Sequence, residues 1–412
     1  MASGVTKTGR SAAVLVLPFV SVLLLVVRYW HRSDRSRVDF HLYMAAAKWW
    51  RPGNLTGFRF GYNGLRFSYP PFALFLFKAF SVVPSSFCEH AWLIASAGAG
   101  AAVCWLGART MFRDDERGRA IAALVAAVGI WSAPVMLTAR LGQVNTFLAL
   151  AVVADLFLIH RRWRFAGVLT GVATAIKLTP VFAIAALFVL GRRSAAMRAA
   201  ATAAIATATA ALVSPVDSWN FWYRDIYDTA RIGSFSDSRN QSITGLLSRT
   251  LGESASVHAL ALVAGVTIVG IALWRASTMK SDEVAAISLV MVAGSLVVPV
   301  SWVHHLLFAV LLVVALLRTR PLASGSAVVG VALAALLFVP DDSTAWLSSA
   351  RTLVMVAAVL ALAAQVSRYP LAKSEVPNTS PIALTNGTAR RSNGRGSMAP
   401  PTIAKTGKAA SK

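Results

Sequence analysis

AIAALVAAVGIWSAPVMLTA, Ala120 to Ala139, is a run of twenty residues without a charge. As a helix rising 1.5 Å per residue it covers the roughly 30 Å hydrocarbon core of a bilayer. Pro321–Pro340, PLASGSAVVGVALAALLFVP, is a second such run. These stretches set the pattern for the 412-residue chain, which is 56% hydrophobic and only 14% charged. Soluble chains average about 25% charged residues, so a soluble domain, a disordered chain and a coiled coil are all excluded. Runs such as Ala199–Val213 lack the in–out alternation of barrel strands. The fold class is therefore an all-α polytopic membrane protein.

The net charge of +23 would suggest nucleic acid in a soluble protein. Here it fits basic residues gathered on cytoplasmic connections and meeting anionic lipid, and no nucleic-acid-binding module accompanies it. Cys88 and Cys104 are too few for a disulfide framework or a metal motif. Lys7 and Arg10 precede the apolar run Ser11–Val27, which is long for a signal peptide and has no small-x-small cleavage site before Arg28. It reads as a retained first span.

Charged punctuation gives about twelve candidate spans: 11–28, 87–108, 120–138, 143–160, 165–177, 178–191, 196–214, 256–274, 284–300, 303–317, 321–339 and 347–366. With the N-terminus inside, 24 of the 40 basic residues fall in short cytoplasmic connections or the tail, as the positive-inside rule requires. The expected organisation is a cytoplasmic N-terminus (1–10), a transmembrane catalytic domain (11–367) and a disordered, basic cytoplasmic tail (368–412). Two long loops, 29–86 and 215–255, face the periplasm from the plasma membrane.

The first of these loops breaks the charge pattern. It holds Arg32, Arg35, Arg37, Lys48, Arg51, Arg59, Arg66 and Lys78, with Arg28 at its edge. Headgroup anchoring explains this as well as an anionic substrate does. Phe40–Trp50 and Pro71–Val83 are expected as two short helices lying flat at the interface. Lys177 and Pro180 interrupt Phe165–Gly191, which is expected to dip out and back as two short helices. No fixed-period repeat is present, which disfavours inverted-repeat transporters.

Several polar residues stand out against this background. Asp39 follows the first span among basic residues; it is either a helix N-cap or a base for a sugar hydroxyl. His304 and His305 sit at an outer mouth beside Trp302, as anchors or near a reacting phosphate. Lys177 is a cation at membrane depth, a functional candidate by default. Arg140, Gln143 and Asn145 form a polar outer turn. Arg239-Asn240-Gln241-Ser242 closes the second loop, as a helix cap or a site element. Asp155 reads as structural. No P-loop, dinucleotide fingerprint, zinc motif or Ser-His-Asp elbow occurs, so a sugar donor would be lipid-carried.

Seven stretches, in order, carry a resemblance: Val38-Asp39-Phe-His-Leu-Tyr43, Ser68-Tyr69-Pro-Pro-Phe72, Leu141-Gly-Gln143-Val-Asn145, Ala175-Ile-Lys177-Leu-Thr-Pro180, Asp217-Ser-Trp219, Arg239-Asn-Gln-Ser242 and Val300-Ser-Trp302-Val-His304-His305. Together they resemble the polyprenol-phosphate-mannose-dependent α-(1,2)-mannosyltransferases of actinobacterial envelopes, glycosyltransferase family 87 of the GT-C superfamily. The family pattern commonly reads Ser-Trp-Ser-His-His, and Val303 stands here in place of the second serine.

The resemblance implies a hexosyltransferase that moves mannose, with inversion, from polyprenyl-phosphate-mannose to a phosphatidylinositol mannoside or lipomannan-type acceptor. It implies Asp39 as base, with His304 or His305 beside the reacting groups. Lys177, Arg37, Arg140 and Arg239 would hold the donor phosphate. His41, Tyr43, Tyr69, Gln143, Asn145, Asn240, Gln241 and Trp302 would contact substrate. No metal or other cofactor is expected, nor nucleic acid, and the enzyme is expected to be a monomer among membrane lipids. The rival readings are an arabinofuranosyltransferase using the same lipid phosphate, a lipid-linked sugar flippase, and an inactive envelope subunit.

Overall fold

The computed structural model describes residues 7–31, 37–112, 114–318, 325–339 and 344–365; the tail expected over 368–412 lies outside the described residues. Seventeen α-helices follow in order: α1 (Lys7–Trp30), α2 (Val38–Trp49), α3 (Ala73–Phe80), α4 (Ser85–Met111), α5 (Glu116–Gly129), α6 (Ala133–Leu141), α7 (Asn145–His160), α8 (Val168–Ile176), α9 (Val181–Val189), α10 (Arg193–Val213), α11 (Pro215–Asn220), α12 (Ile243–Leu251), α13 (Ala255–Thr278), α14 (Glu283–Val297), α15 (Leu307–Leu317), α16 (Gly325–Leu337) and α17 (Ala345–Ala363). Among the described residues the only strand-like pairing is an isolated bridge between Phe60 and Leu65.

By length and hydropathy, α4, α10, α13 and α17 are each sufficient to cross a membrane. The charge-free run Ala120–Ala139 is not one straight span. It is divided between α5 and α6, which meet at a 54° bend. Pro134 supplies the reason: it lies in the first turn of α6, where proline is tolerated and a continuing helix is not. The Phe165–Gly191 run is likewise two helices, α8 and α9, broken over Lys177–Pro180.

Two apolar cores result. The larger joins α1, α4–α7, α9 and α13–α17 through residues such as Leu25, Ile130, Leu187, Leu289 and Leu312. The smaller lies beneath the first loop and is rich in aromatic rings, among them Phe40, Tyr43, Phe67, Phe77 and Trp92. It seats α2 and α3 on α4 and α7. Arginines close several helix ends, where a cation meets the negative end of the dipole. Arg351 donates to the Leu336 and Val339 carbonyls at 3.0 and 2.7 Å, and Arg318 donates to Met111 at 2.7 Å.

One carboxylate fastens the two long loops together. Asp217 is buried and accepts from the Trp50 indole, the Gly53 and Leu55 backbone N–H groups (each 2.9 Å) and the Ser214 hydroxyl at 2.6 Å. With its acceptor sites filled, it is structural.

Candidate active site

Asp39 occupies the first turn of α2, but it is not the N-cap. That position belongs to Arg37, which adopts the left-handed conformation (φ 58°, ψ 30°) and makes no side-chain cap. The carboxylate is therefore free of capping, and Asp39 is half-buried.

Gly142 allows α6 to end against this turn. It closes α6 in the left-handed region (φ 71°), and a Cβ there would stand 2.6 Å from the Phe40 Cβ. Only glycine accepts both constraints. The Arg37 N–H also bonds the Arg140 carbonyl at 2.6 Å, tying α2 to α6.

Gln143, the next residue, reaches beneath Asp39. Its Oε1 accepts from the Tyr43 and Tyr69 hydroxyls at 2.9 and 2.8 Å, and those two hydroxyls are 2.7 Å apart. Burial pushes the Asp39 carboxyl up to about 6, while a hydrogen bond from Gln143 and the charge of Lys177 pull it back down.

Lys177 enters from the α8–α9 break. Its Nζ donates to Asn145 Oδ1 at 2.9 Å, lies 3.1 Å from His305 Nε2, and sits 5.3 Å above the centre of the Tyr69 ring. Asn145 turns its amide nitrogen to the His304 carbonyl at 2.8 Å. The break, the turn before α7 and the histidine turn are thus one hydrogen-bonded unit. A crevice beside it runs between α7, α9, α14 and α15, with Asn145, Ser301 and His305 as polar lining and Leu148, Val152, Phe182 and Met291 as apolar lining.

A carboxylate within reach of a cation's charge, with an apolar crevice beside that cation, suits transfer of a sugar from a lipid-borne phosphate. The sequence profile of glycosyltransferase family 87 matches residues 67–299, over half the chain. The chain belongs to this family.

Its relatives include the polyprenol-phosphate-mannose-dependent alpha-(1-2)-phosphatidylinositol pentamannoside mannosyltransferases of Mycobacterium tuberculosis and Mycolicibacterium smegmatis. The first is 32% identical over 323 residues, covering 75% of this chain and 74% of the relative. The second is 33% identical over 313 residues, covering 74% and 75%. A Mycobacterium tuberculosis enzyme named for phosphatidylinositol mannoside is 30% identical, covering 65% of this chain and 67% of the relative. No solved structure matches.

Within this family-87 chain, several residues expected at the site have other duties. Arg37 is 3% exposed; its guanidinium pairs with Glu89 and donates to the Tyr29 carbonyl at 2.9 Å. It anchors α2 to α1 and α4 and is not open to a phosphate. His41, two residues beyond Asp39, turns its Nε2 to within 3.5 Å of the same Glu89.

Asn240 and Gln241 are fully buried. Asn240 donates to the Phe235 and Pro299 carbonyls and accepts from the Ser242 and Ser301 N–H groups, at 3.0 to 3.1 Å. Gln241 donates to the Arg239 carbonyl and the Ser348 hydroxyl, each at 2.9 Å. Asn240 clamps the second loop to the turn before the histidines, and Gln241 ties it to α17. Tyr43, Tyr69 and Gln143 are also buried and bond one another. Asn145 serves as the bridge just described.

Arg239 is more than half exposed. It bonds Asp237 at 3.0 and 2.8 Å and lies over the Trp302 ring, with 5.3 Å to the ring centre. That guanidinium holds the Asp237 carboxyl below its usual range. The Arg140 guanidinium has no hydrogen bond or ion pair among the described residues and keeps its charge available. Val303, in the place of the family's serine, is buried against Ala133 and Leu137, giving the histidine turn an apolar contact with α6. Asp155 accepts from the Thr170 N–H at 2.6 Å, in keeping with its structural reading.

Glu89 escaped the sequence reading. Its signal was charge complementarity: it is the one acidic residue between Asp39 and Asp114, close to the most basic loop.

Proposed function

We propose that this chain transfers mannose from polyprenyl-phosphate-mannose to a hydroxyl of a phosphatidylinositol-anchored mannoside, with inversion to an α-(1,2) linkage. The observation that carries the reading is the convergence of Asp39 and Lys177, from separate stretches of sequence, on one polar site. The relatives' names support the donor and the acceptor class.

The chemistry is a single displacement. Asp39 takes the proton of the acceptor hydroxyl as that oxygen attacks C1 of the mannose. The bond from C1 to the phosphate oxygen breaks, and the polyprenyl phosphate leaves with the electron pair. Lys177 stabilises the charge that develops, with His304 or His305 beside it and Arg140 close to the α2–α6 junction. The apolar crevice next to His305 suits a lipid-borne donor. No step in this scheme calls on a metal.

The same reading places the site on the periplasmic face, both termini in the cytoplasm, and the chain in the plasma membrane as a monomer with about twelve spans. The charge partition supports this, as do exposed apolar residues such as Phe19, Leu212, Leu260 and Val328 along α1, α10, α13 and α16. α3, with eight residues, is about 12 Å long and too short to cross; α2 and α3 lie at the interface.

Purified protein given polyprenyl-phosphate-mannose and a panel of phosphatidylinositol mannosides and lipomannan fragments, read by mass, tests the proposal. A gain of one hexose on a phosphatidylinositol mannoside is expected. Transfer only from polyprenyl-phosphate-arabinose, or donor translocation without transfer, would overturn it.

A further inference from the structure

The cations of the first long loop divide into two sets. Arg37 pairs with Glu89, Arg66 pairs with Asp228 at 3.2 Å, and Lys78 donates to the Ala47 carbonyl at 2.9 Å. These three fasten the fold. Lys48, Arg51 and Arg59 are exposed instead. Arg51 donates to the Lys48 and Trp50 carbonyls, and Arg59 to the Thr56 and Phe58 carbonyls, at 2.7 to 3.3 Å. A carbonyl steadies a guanidinium without cancelling its charge. None of the three makes an ion pair among the described residues. The Trp49 and Phe58 rings meet with 5.7 Å between centroids, which sets the Arg59 stretch against the end of α2.

The second long loop continues this surface. Asp217 gathers Trp50, Gly53 and Leu55 onto the start of α11, and a Cβ on Gly53 would stand 3.9 Å from the Val216 Cβ. The helix then widens over Phe221–Asp225. Val216, Trp219 and Tyr223 share one face at i, i+3 and i+7 and are 54, 58 and 63% exposed, whereas Asp217, Ser218 and Phe221 are buried. The Trp219 and Tyr223 rings stack with 4.0 Å between centroids. Arg224, beside them, is also exposed. The nearby carboxylates do not serve it: Asp225 is paired with Arg231 and Asp228 with Arg66.

What covers the aromatic face follows from the helix before it. α10 has 21 residues, about 31 Å, the thickness of a hydrocarbon core. It ends in the exposed apolar pair Leu212 and Val213. Ser214 leaves the helical region and α11 begins at once. Val216 and Trp219 therefore stand where hydrocarbon gives way to headgroups, the layer that tryptophan and tyrosine favour. Four unmatched cations beside that layer select lipids of negative charge.

We propose that the last turn of α2, the Arg59 stretch and the exposed face of α11 form one docking surface for anionic phospholipid headgroups in the leaflet at that end of α10. A neutral glycan could also stack on the rings, but it would leave the four cations without a counter-charge. α2 carries Asp39 in its first turn and part of this surface in its last, so headgroups held here fix the position of the candidate site relative to the lipid. The docking itself does not depend on which sugar is moved or on which group acts as base, and its test reads no turnover.

Full-length protein with Cys88 and Cys104 replaced is placed in vesicles of phosphatidylcholine, alone or mixed with phosphatidylglycerol. A small fluorophore attached at Val216→Cys or Trp219→Cys should be quenched by lipid bearing a nitroxide high on its acyl chain and shielded from aqueous acrylamide. Nitroxide-bearing phosphatidylglycerol should associate with the labelled site about fivefold more strongly than its phosphatidylcholine counterpart, or more, the weight of a single cation near a charged membrane surface. High salt should erase that preference. So should the combined variant Lys48→Gln/Arg51→Gln/Arg59→Gln/Arg224→Gln.

Labels reached by acrylamide and not by the nitroxide lipid would overturn the proposal. Shielding that appears only when a soluble mannose oligosaccharide is added would overturn it in favour of a glycan platform. Equal quenching by the two lipids, or a preference that high salt leaves unchanged, would overturn it as well. The salt series uses no charge variant and supplies the answer if the combined variant does not fold.

Discussion

Nζ of Lys177 stands 3.1 Å from Nε2 of His305, across 128 residues of sequence. The contact joins two places where the helical pattern is interrupted, the α8–α9 break at Pro180 and the turn that begins at Pro299. Broken helices are tolerated at membrane depth only where protein or a polar cavity satisfies the freed groups. Here the freed segments carry the lysine and the histidines, and Asn145 bonds both at 2.8 to 2.9 Å. The interruptions thus build the site.

Lys177→Met should therefore weaken use of the donor more than use of the acceptor. Removing a charge aimed at the leaving phosphate is expected to lower kcat/KM for the donor by roughly 10²-fold or more. The same change removes a cation that favours ionised Asp39, so the acid limb of the rate profile should move to higher pH. Steady-state kinetics with each substrate varied would show both effects. Equal losses for donor and acceptor with an unmoved limb would return Lys177 to a packing role.

The helices were legible because charges punctuate the apolar runs, and the breaks were announced by Pro134 and Pro180. The bend between α5 and α6 was nevertheless missed, because hydropathy alone does not register one proline inside an uncharged stretch. Asp39, Lys177 and the histidine pair were legible as polar groups where apolar ones would cost nothing. The bonds that Arg37, Asn240 and Gln241 make within the protein were hidden for a physical reason: a buried polar residue that fastens a loop and one that binds substrate have the same composition and spacing. Only the partners distinguish them, and Glu89, Pro299 and Ser301 lie 52, 59 and 61 residues away from the groups they bond.

Asp217 makes the same point in reverse, as a carboxylate in a family motif that acts on stability. Asp217→Ala leaves the Trp50, Gly53, Leu55 and Ser214 donors without their acceptor. Unsatisfied buried donors cost about 1–3 kcal/mol each, so the two long loops should separate and the melting temperature in detergent should fall clearly. Asp217→Asn, which keeps one acceptor oxygen, should fall between. A variant that melts like wild type but is inactive would instead make Asp217 a catalytic group.

Topology is open to direct labelling. Tyr62, in the first loop, is fully exposed, and Trp163, between α7 and α8, is 48% exposed. In a background with buried Cys88 and Cys104 replaced, Tyr62→Cys should react with an impermeant maleimide from outside intact cells. Trp163→Cys should react only after lysis. The reverse pattern would move the site to the cytoplasmic face.

The decisive variant is Asp39→Asn. Asp39 is not the N-cap of α2 and carries no capping bond, so the amide costs the helix little and the protein should extract as a monodisperse species. It cannot take a proton, and a missing general base costs roughly 10²–10⁴-fold in rate. Donor binding, which rests on Lys177, should persist. The wild-type profile gives the second half of the test. Burial raises Asp39 to about 6, and the active form is the carboxylate, so kcat/KM should be level above that pH and fall tenfold per unit below it. That limb should be absent from whatever residual rate Asp39→Asn retains. Substantial turnover with the acid limb intact would show that another group takes the proton, and Asp237, the half-buried carboxylate paired with Arg239, would be the next to substitute.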